Sequence, residues 1–415
     1  MLRLPAFPSF ARSIATLCVV LASPLTLADS LSLPQAIATA MERNPEMSAA
    51  RQEIGIADGA RRQAGLIPNP ELSWEVEDTR RDTSTTTVTL SQPLELGGKR
   101  GARIEVARVG QSLAQMTLEQ QLNTLRADVV QAFYSALRAQ TGVELAQQSL
   151  DLTERGLQVV ESRVRAGTSS PVEATRAQVQ LAEARLQLSR AQSEKSNAYR
   201  QLAQVTGSAV DSVDRLDAAS LSPGLPPADD LLLGRLEQTA ELRQAMARID
   251  QNDAALGSER AQRIPDLTVS VGSQYDRLER ERVNVVGVSL PLPLFDRNQG
   301  NVLAAARRAD QARDLRNAVE LRLRSETRTA LNQWSTAMQE VASYDSTILP
   351  AARQAVDTAT RGFERGKFGF IEVLDAQRTL IAAREQYLAS LATASDARAR
   401  VERVFGDLDA LTATP

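Results

Sequence analysis

The chain has 415 residues, enough for two or three ordinary domains, but only 4 % are aromatic, too few to fill several compact cores. Ala, Arg, Gln, Glu and Leu dominate, a composition of long helices and coiled coils. The formal charge of −3, the absence of His and a single Cys near the N-terminus exclude a His-based triad, a thiol nucleophile, the usual zinc sites and a disulfide, and disfavour nucleic acid as a partner.

Residues 1–28 read as an export signal. Arg3 and Arg12 are basic, no acid precedes Asp29, a mainly apolar stretch runs from Ile14 to Ala22, and Thr26-Leu27-Ala28 offers small residues for cleavage. Cys18 follows Leu17, which is not small, so a plain signal is expected and not a lipoprotein. No later run is long and apolar enough for a membrane helix, so any crossing must use strands.

From Leu31 to Gly65 the pattern is helical, with a break at Pro45; Ile67-Pro68-Asn69-Pro70 ends it. A strand follows, with Leu72, Trp74 and Val76 facing one way and Glu71, Ser73, Glu75 and Glu77 the other. After a charged turn at 78–84, a second strand is expected over Thr85–Leu94. Lys99 to Arg163 is almost uninterrupted helix former, roughly 95 Å at about 1.5 Å per residue. A turn around Gly167 leads into a return helix. There Ala174, Ala177, Leu181, Ala184, Leu188, Ala191, Lys195, Ala198, Leu202 and Val205 step by three and four.

A proline-containing linker, Asp217–Asp229, separates a first repeat, 29–225, from a second, 226–415. The second repeats the design: a helix over Asp230–Arg263, a strand from Leu267, a charged turn Asp276–Arg282 and a strand over Val283–Leu292. A long helix from Asn301 to Arg361 follows, with a kink expected at Pro350, then a turn around Gly366 and a second return helix. Its stripe runs from Val373 through Leu380, Ala394 and Val401 to Val404, 199 residues beyond the first.

Each hairpin alone would suit a soluble sheet. Two at matching places in a duplicated, exported chain favour strands in a bilayer, where about ten tilted residues span the apolar layer. Four strands cannot close a barrel, and lipid does not tolerate an open sheet edge. Two chains would supply eight strands and three would supply twelve; a wide pore favours three.

The ordered set Ile67-Pro68-Asn69-Pro70, Ser91-Gln92-Pro93-Leu94, Arg165-Ala166-Gly167, Ser289-Leu290-Pro291-Leu292 and Leu374-Asp375-Ala376-Gln377 resembles the TolC-like outer-membrane efflux family over essentially the whole mature chain. Gln92-Pro93-Leu94-Glu95-Leu96-Gly97-Gly98-Lys99-Arg100 looks like its CzcC-type branch, the outer-membrane parts of heavy-metal efflux pumps. The resemblance implies a mainly α chain whose four strands form one third of a twelve-stranded transmembrane β-barrel. That barrel belongs to a homotrimer, continued by a periplasmic helical barrel. It also implies a Gram-negative outer-membrane location, contact with outer-membrane lipid, a periplasmic membrane-fusion adaptor and an inner-membrane, proton-driven RND pump. No cofactor and no enzymatic activity are expected.

By the same resemblance, Arg165, Ala166, Gly167 and Thr168, with Arg365, Gly366 and Lys367, are expected to dock the adaptor. Both glycines also suit ordinary helix C-caps. Glu372 and Asp375 share a helix face past the second turn, with Glu173 and Arg176 at the matching places in the first half. Repeated around a trimer axis, such acids would gate the aperture; acids in a first helical turn also simply complement the helix dipole. Expected cargo is heavy-metal cations such as cobalt, zinc, cadmium or copper and silver. Multidrug efflux, type I protein secretion and a pore-free periplasmic coiled-coil scaffold are the alternatives.

Overall fold

A computed structural model of the chain describes residues 30–208, 215–217 and 222–408. The expected signal, Cys18 and part of the linker lie outside these residues. Helix α1 (Leu33–Arg43) opens on a capping box between Ser32 and Gln35. Asn44 then turns the chain, and its side chain accepts from the Glu46 backbone N–H at 2.8 Å, starting α2 (Pro45–Ala64) where the break at Pro45 was expected.

Strands β1 (Glu71–Glu77), β2 (Thr85–Leu94), β3 (Leu267–Asp276) and β4 (Glu281–Ser289) form one antiparallel sheet in the order β1-β2-β3-β4. The register is continuous. Leu72 pairs with Leu90, Leu90 with Val271 and Val271 with Val286, so one row of apolar side chains crosses one face of all four strands. Trp74 pairs with Val88 on that face. The opposite face carries Glu71, Glu75 and Glu77 of β1, hydroxyls of β2 and β3, and Asp276 and Glu281 at the hairpin end. β4 stops at Ser289, three residues short of the expected Leu292, because Pro291 and Pro293 have no N–H for the ladder.

Helix α3 (Lys99–Arg165) has 67 residues, about 100 Å at 1.5 Å per residue. α4 (Pro171–Thr206) returns along it. The expected single helix Asp230–Arg263 is instead α5 (Asp229–Leu233), a 3-10 turn (Leu236–Gln238) and α6 (Ala240–Ala261), with Thr239 extended between them. Six residues of straight helix would set Leu236 and Leu242 about 120° apart. The break lets both bury against Leu323.

α7 (Gln299–Ser343) passes through a π turn (Tyr344–Ile348) into α8 (Leu349–Glu364), and α9 (Phe370–Phe405) returns. The irregularity expected at Pro350 takes this form for a local reason. Proline lacks the N–H for its usual partner and its ring crowds the carbonyl four residues back; the wider turn removes that conflict, and Leu349 N–H donates to the Tyr344 carbonyl.

The stripes on the return helices are the packing seams. Ala177, Ala184, Ala198 and Leu202 are buried on α4, and Val373, Leu380, Ala383, Ser390, Ala394, Ala397 and Val401 on α9; the other stripe positions are half-buried. Next to the sheet the lateral order is α2-α3-α6-α7, and towards the far end it is α4-α3-α9-α8. A waist between them is built on Phe133, Leu137, Leu202 and Leu216, with Leu31 bridged to Leu216. On either side of the waist, where α1 adds a layer over α3 and α4, the protomer is thus a ribbon four elements wide. One long edge is made of β1, α2 and α4, the other of β4, α7 and α8.

Candidate functional site

The helical tip is built twice by the same turn. At the end of α3, Thr168 N–H donates to the Arg163 carbonyl at 2.9 Å and Gly167 N–H to the Val164 carbonyl at 3.0 Å. At the end of α8, Lys367 N–H donates to Gly362 at 2.8 Å and Gly366 N–H to Phe363 at 2.9 Å. Both are Schellman caps, which need a left-handed residue; Gly167 and Gly366 have φ of +71° and +70°. A Cβ at either glycine would meet no atom within 4 Å, so backbone conformation, not crowding, selects glycine there. Arg165 and Lys367 are exposed, as are Ala166 and Arg365 at the caps; Thr168 returns its hydroxyl to the Arg163 carbonyl at 3.1 Å.

The two turns are tied together by residues the sequence did not single out. Arg163 donates from Nη1 to the Phe363 carbonyl at 2.5 Å and lays its guanidinium over the Phe363 ring, 4.4 Å from the centroid. Phe363 and Phe370 meet at 5.5 Å in a cluster with Val160, Ala177 and Val373. The Phe368 ring lies against Gly362, where there is no room for a Cβ. The aromatic spacing Phe363, Phe368, Phe370, in a chain so poor in aromatics, was the available signal. A groove of about 420 Å³ opens above the turns between α3, α8 and α9, lined by Leu152, Gly156, Val159, Val356, Phe363 and Phe370.

Glu372 and Asp375 are both exposed on the first turns of α9, while their neighbours Val373 and Leu374 are buried. Glu173 is half-buried and Arg176 exposed at the start of α4. Among the described residues none of these four forms an ion pair within the protomer. The fold therefore brings the two turns together, but leaves the charged residues unpaired beside them.

The Glu95–Arg100 segment is the hinge between sheet and helices. Gly97 and Gly98 both have positive φ, +70° and +74°, and turn the chain from β2 into α3. Asp266, just before β3, accepts from Lys99 Nζ at 2.8 Å and from Leu96 N–H at 3.3 Å. Arg103 pairs with Glu95, and Arg100 Nε donates to the Gly65 carbonyl at 2.8 Å. The motif locks strand, helix and the neighbouring hairpin into one angle.

The sequence profile of the family described as outer membrane efflux protein matches residues 36–208 and 234–407. The chain belongs to that family. It is 40% identical, over 93% of its length and 91% of the relative's, to the cobalt-zinc-cadmium resistance protein CzcC of Cupriavidus metallidurans. It is 30% identical to the nickel and cobalt resistance protein CnrC of the same organism, over 75% of each chain. Among solved structures it shares its fold with the outer-membrane channel OprN, at TM-score 0.77 and 19% identity over 89% of both chains. The CusC channel matches at TM-score 0.74 and 18% identity, over 89% of this chain and 90% of that one.

Proposed function

We propose that three copies of this chain form a passive duct through the outer membrane of a Gram-negative bacterium, carried across the periplasm by the helices, and that the duct exports heavy-metal cations. The observation that carries the duct is the ribbon itself, open along the same two edges in the sheet and in both helical levels. Unpaired strand edges cost several kcal/mol per backbone group in lipid, so β1 and β4 need partners. The helical edges carry matching seams. Val172, Val179 and Leu186 stand exposed at heptad spacing on α4, and Ile348, Ala351, Ala355 and Thr358 stand exposed at three-and-four spacing on the α7–α8 edge. Ile56 on α2 and Leu303 and Leu321 on α7 do the same next to the sheet. Two copies would give eight strands, whose interior side chains fill; three give twelve and leave a lumen.

The cargo reading rests on the sheet's two faces. Closed with its apolar row outward, the barrel turns Glu71, Glu75, Glu77, Asp276 and Glu281 inward, with no Lys or Arg on that face. A lumen lined by one sign of charge concentrates the opposite ion and repels its own. The relatives named for cobalt, zinc, cadmium and nickel resistance agree with a cationic cargo.

At the tip, the groove beside Gly156 is the surface we assign to the helical hairpin of a periplasmic adaptor, which would couple the duct to a proton-driven inner-membrane pump of the RND type. The docking turns Arg165–Thr168 and Arg365–Lys367 flank it. Gly156 is helical, and a Cβ there would meet only the Phe370 ring, at 3.9 Å. Gly156→Leu therefore fills the groove and favours the helix by about 0.5–1 kcal/mol. In a strain lacking the chain, the wild type should restore tolerance to cobalt, zinc and cadmium, whereas Gly156→Leu, assembled normally, should not. Full complementation by Gly156→Leu would remove the groove as the docking surface, and no metal sensitivity in the deleted strain would remove metal cations as cargo.

Glu372 and Asp375, unpaired in the protomer, are the proposed gate. Across a three-fold axis they would face their own copies and Arg or Lys of neighbouring turns, holding the tip closed. Glu372→Gln with Asp375→Asn should raise the basal conductance of the reconstituted channel several-fold, on the order of one to two charge-assisted contacts per copy. An unchanged conductance would show that these acids only complement the dipole of α9.

A further inference from the structure

We infer that the hairpin ends of the sheet carry an arginine rim that binds the phosphates of outer-leaflet lipopolysaccharide. This rests on the proposed duct, in which the helices cross the periplasm and the hairpin end of the barrel therefore faces the cell exterior.

On the strands the charges at this end are sorted by face, while the turns beyond them also carry exposed Asp82 and Glu279. Glu77, Asp276 and Glu281 lie on the acidic face. On the apolar face the last row is Val76, Thr86, Tyr275 and Arg282, paired in that order across the four strands. Arg282 holds its guanidinium 6.0 Å from the Tyr275 ring centroid. One step outward, Arg277 N–H donates to the Ser84 carbonyl at 3.2 Å, extending the β2–β3 ladder, and Arg277 Nη1 donates to the Arg81 carbonyl at 3.2 Å. The Arg277 guanidinium is thereby held against the Arg81 backbone, bridging the two hairpins. Arg280, with φ of +59°, closes the second turn beside Leu278, which is 69% exposed.

Arg80 is already engaged, bonded to Asp78 at 2.7 Å. Arg81, Arg277, Arg280 and Arg282 are exposed and, among the described residues, have no ion pair within the protomer. A lipid-facing tyrosine with arginines just beyond the apolar band is the arrangement of a membrane interface, where aromatic rings sit at headgroup depth. Guanidinium groups in pairs match a phosphate monoester by bidentate hydrogen bonding. In the outer leaflet the phosphates at this depth belong to a glycolipid, so the rim would seat that lipid around the barrel and replace some of the divalent cations that otherwise bridge it.

The test uses the assembled full-length protein in phosphatidylethanolamine nanodiscs, titrated with lipopolysaccharide, with the same lipopolysaccharide after enzymatic dephosphorylation, and with inorganic phosphate. Native mass spectrometry reads bound lipid, and single-channel conductance confirms assembly. The wild type should retain phosphorylated lipopolysaccharide at least ten-fold better than the dephosphorylated form, and inorganic phosphate at millimolar concentration should not displace it. Arg81→Gln/Arg277→Gln/Arg280→Gln/Arg282→Gln should conduct normally and lose that preference. Should the fourfold variant fail to assemble, Arg277→Gln/Arg282→Gln and the two lipid forms on the wild type decide the matter. Equal retention of the two lipids, or displacement by inorganic phosphate, overturns the inference while leaving the duct intact. Failure of the wild type to conduct in any membrane would overturn the duct, and the rim with it.

Discussion

Replacing Glu402 with alanine should destabilise the protomer by about 3–5 kcal/mol, the range for breaking a buried ion pair from one side. The Glu402 side chain is fully buried where α9 crosses the waist. Its Oε1 accepts from Arg398 Nε at 2.8 Å, and its Oε2 lies 3.4 Å from Arg126 Nε on α3. Arg126 continues to Asp407 at 2.8 Å, and Arg398 Nη1 donates to the Pro223 carbonyl at 2.9 Å. One carboxylate thus joins a helix from each half of the duplication to the segment that links the halves. Alanine would take the carboxylate away from two guanidinium groups that are only 17% and 11% exposed, leaving Arg126 with Asp407 and Arg398 with a backbone carbonyl. Chemical unfolding followed by helical circular dichroism should show a lowered midpoint. Glu402→Gln should fall between, since it keeps shape and some hydrogen bonding. An alanine variant within about 0.5 kcal/mol of wild type would mean that water already reaches the network.

Gly97→Ala should cost about 2–5 kcal/mol, against roughly 1 kcal/mol for Gly98→Ala. The two glycines are adjacent and share a left-handed backbone, so the conformational penalty is common to both. They differ in surroundings. A Cβ at Gly97 would lie 2.7 Å from the Ile264 Cβ and 3.0 Å from the Ala261 carbonyl oxygen, whereas one at Gly98 meets nothing within 4 Å. The collision is with the C-terminus of α6 and the lead into β3, so relief would have to shift the second hairpin relative to the first. Yield of assembled protein in the outer-membrane fraction should fall sharply for Gly97→Ala and little for Gly98→Ala. Equal yields would show that the junction yields more easily than its packing implies.

Much of the fold was legible because it is periodic. Period two in Leu72, Trp74 and Val76 placed β1 and its apolar face, and steps of three and four placed the seams of α4 and α9. Prolines located the breaks at Asn44 and at the π turn. What was missed is non-local. No spacing rule shows that Leu236 and Leu242 must both reach Leu323, nor that Glu402 would be buried between arginines from opposite halves. At the tip, the glycines were legible from their cap chemistry. The tie between Arg163 and the Phe363 carbonyl joins residues 200 apart and could be found only in the fold. The acidic face of the sheet was written in Glu71, Glu75 and Glu77, but Asp276 and Glu281 had read as turn residues until the register set them opposite each other.

The proposed duct requires that a ribbon four elements wide close on copies of itself into a tube. Native mass spectrometry of the protein extracted from the outer membrane in mild detergent tests it most directly. A single species of three chains is expected, each below the 45.0 kDa of the full sequence after signal removal. Monomers, or a dimer whose eight strands would leave no lumen, would contradict it.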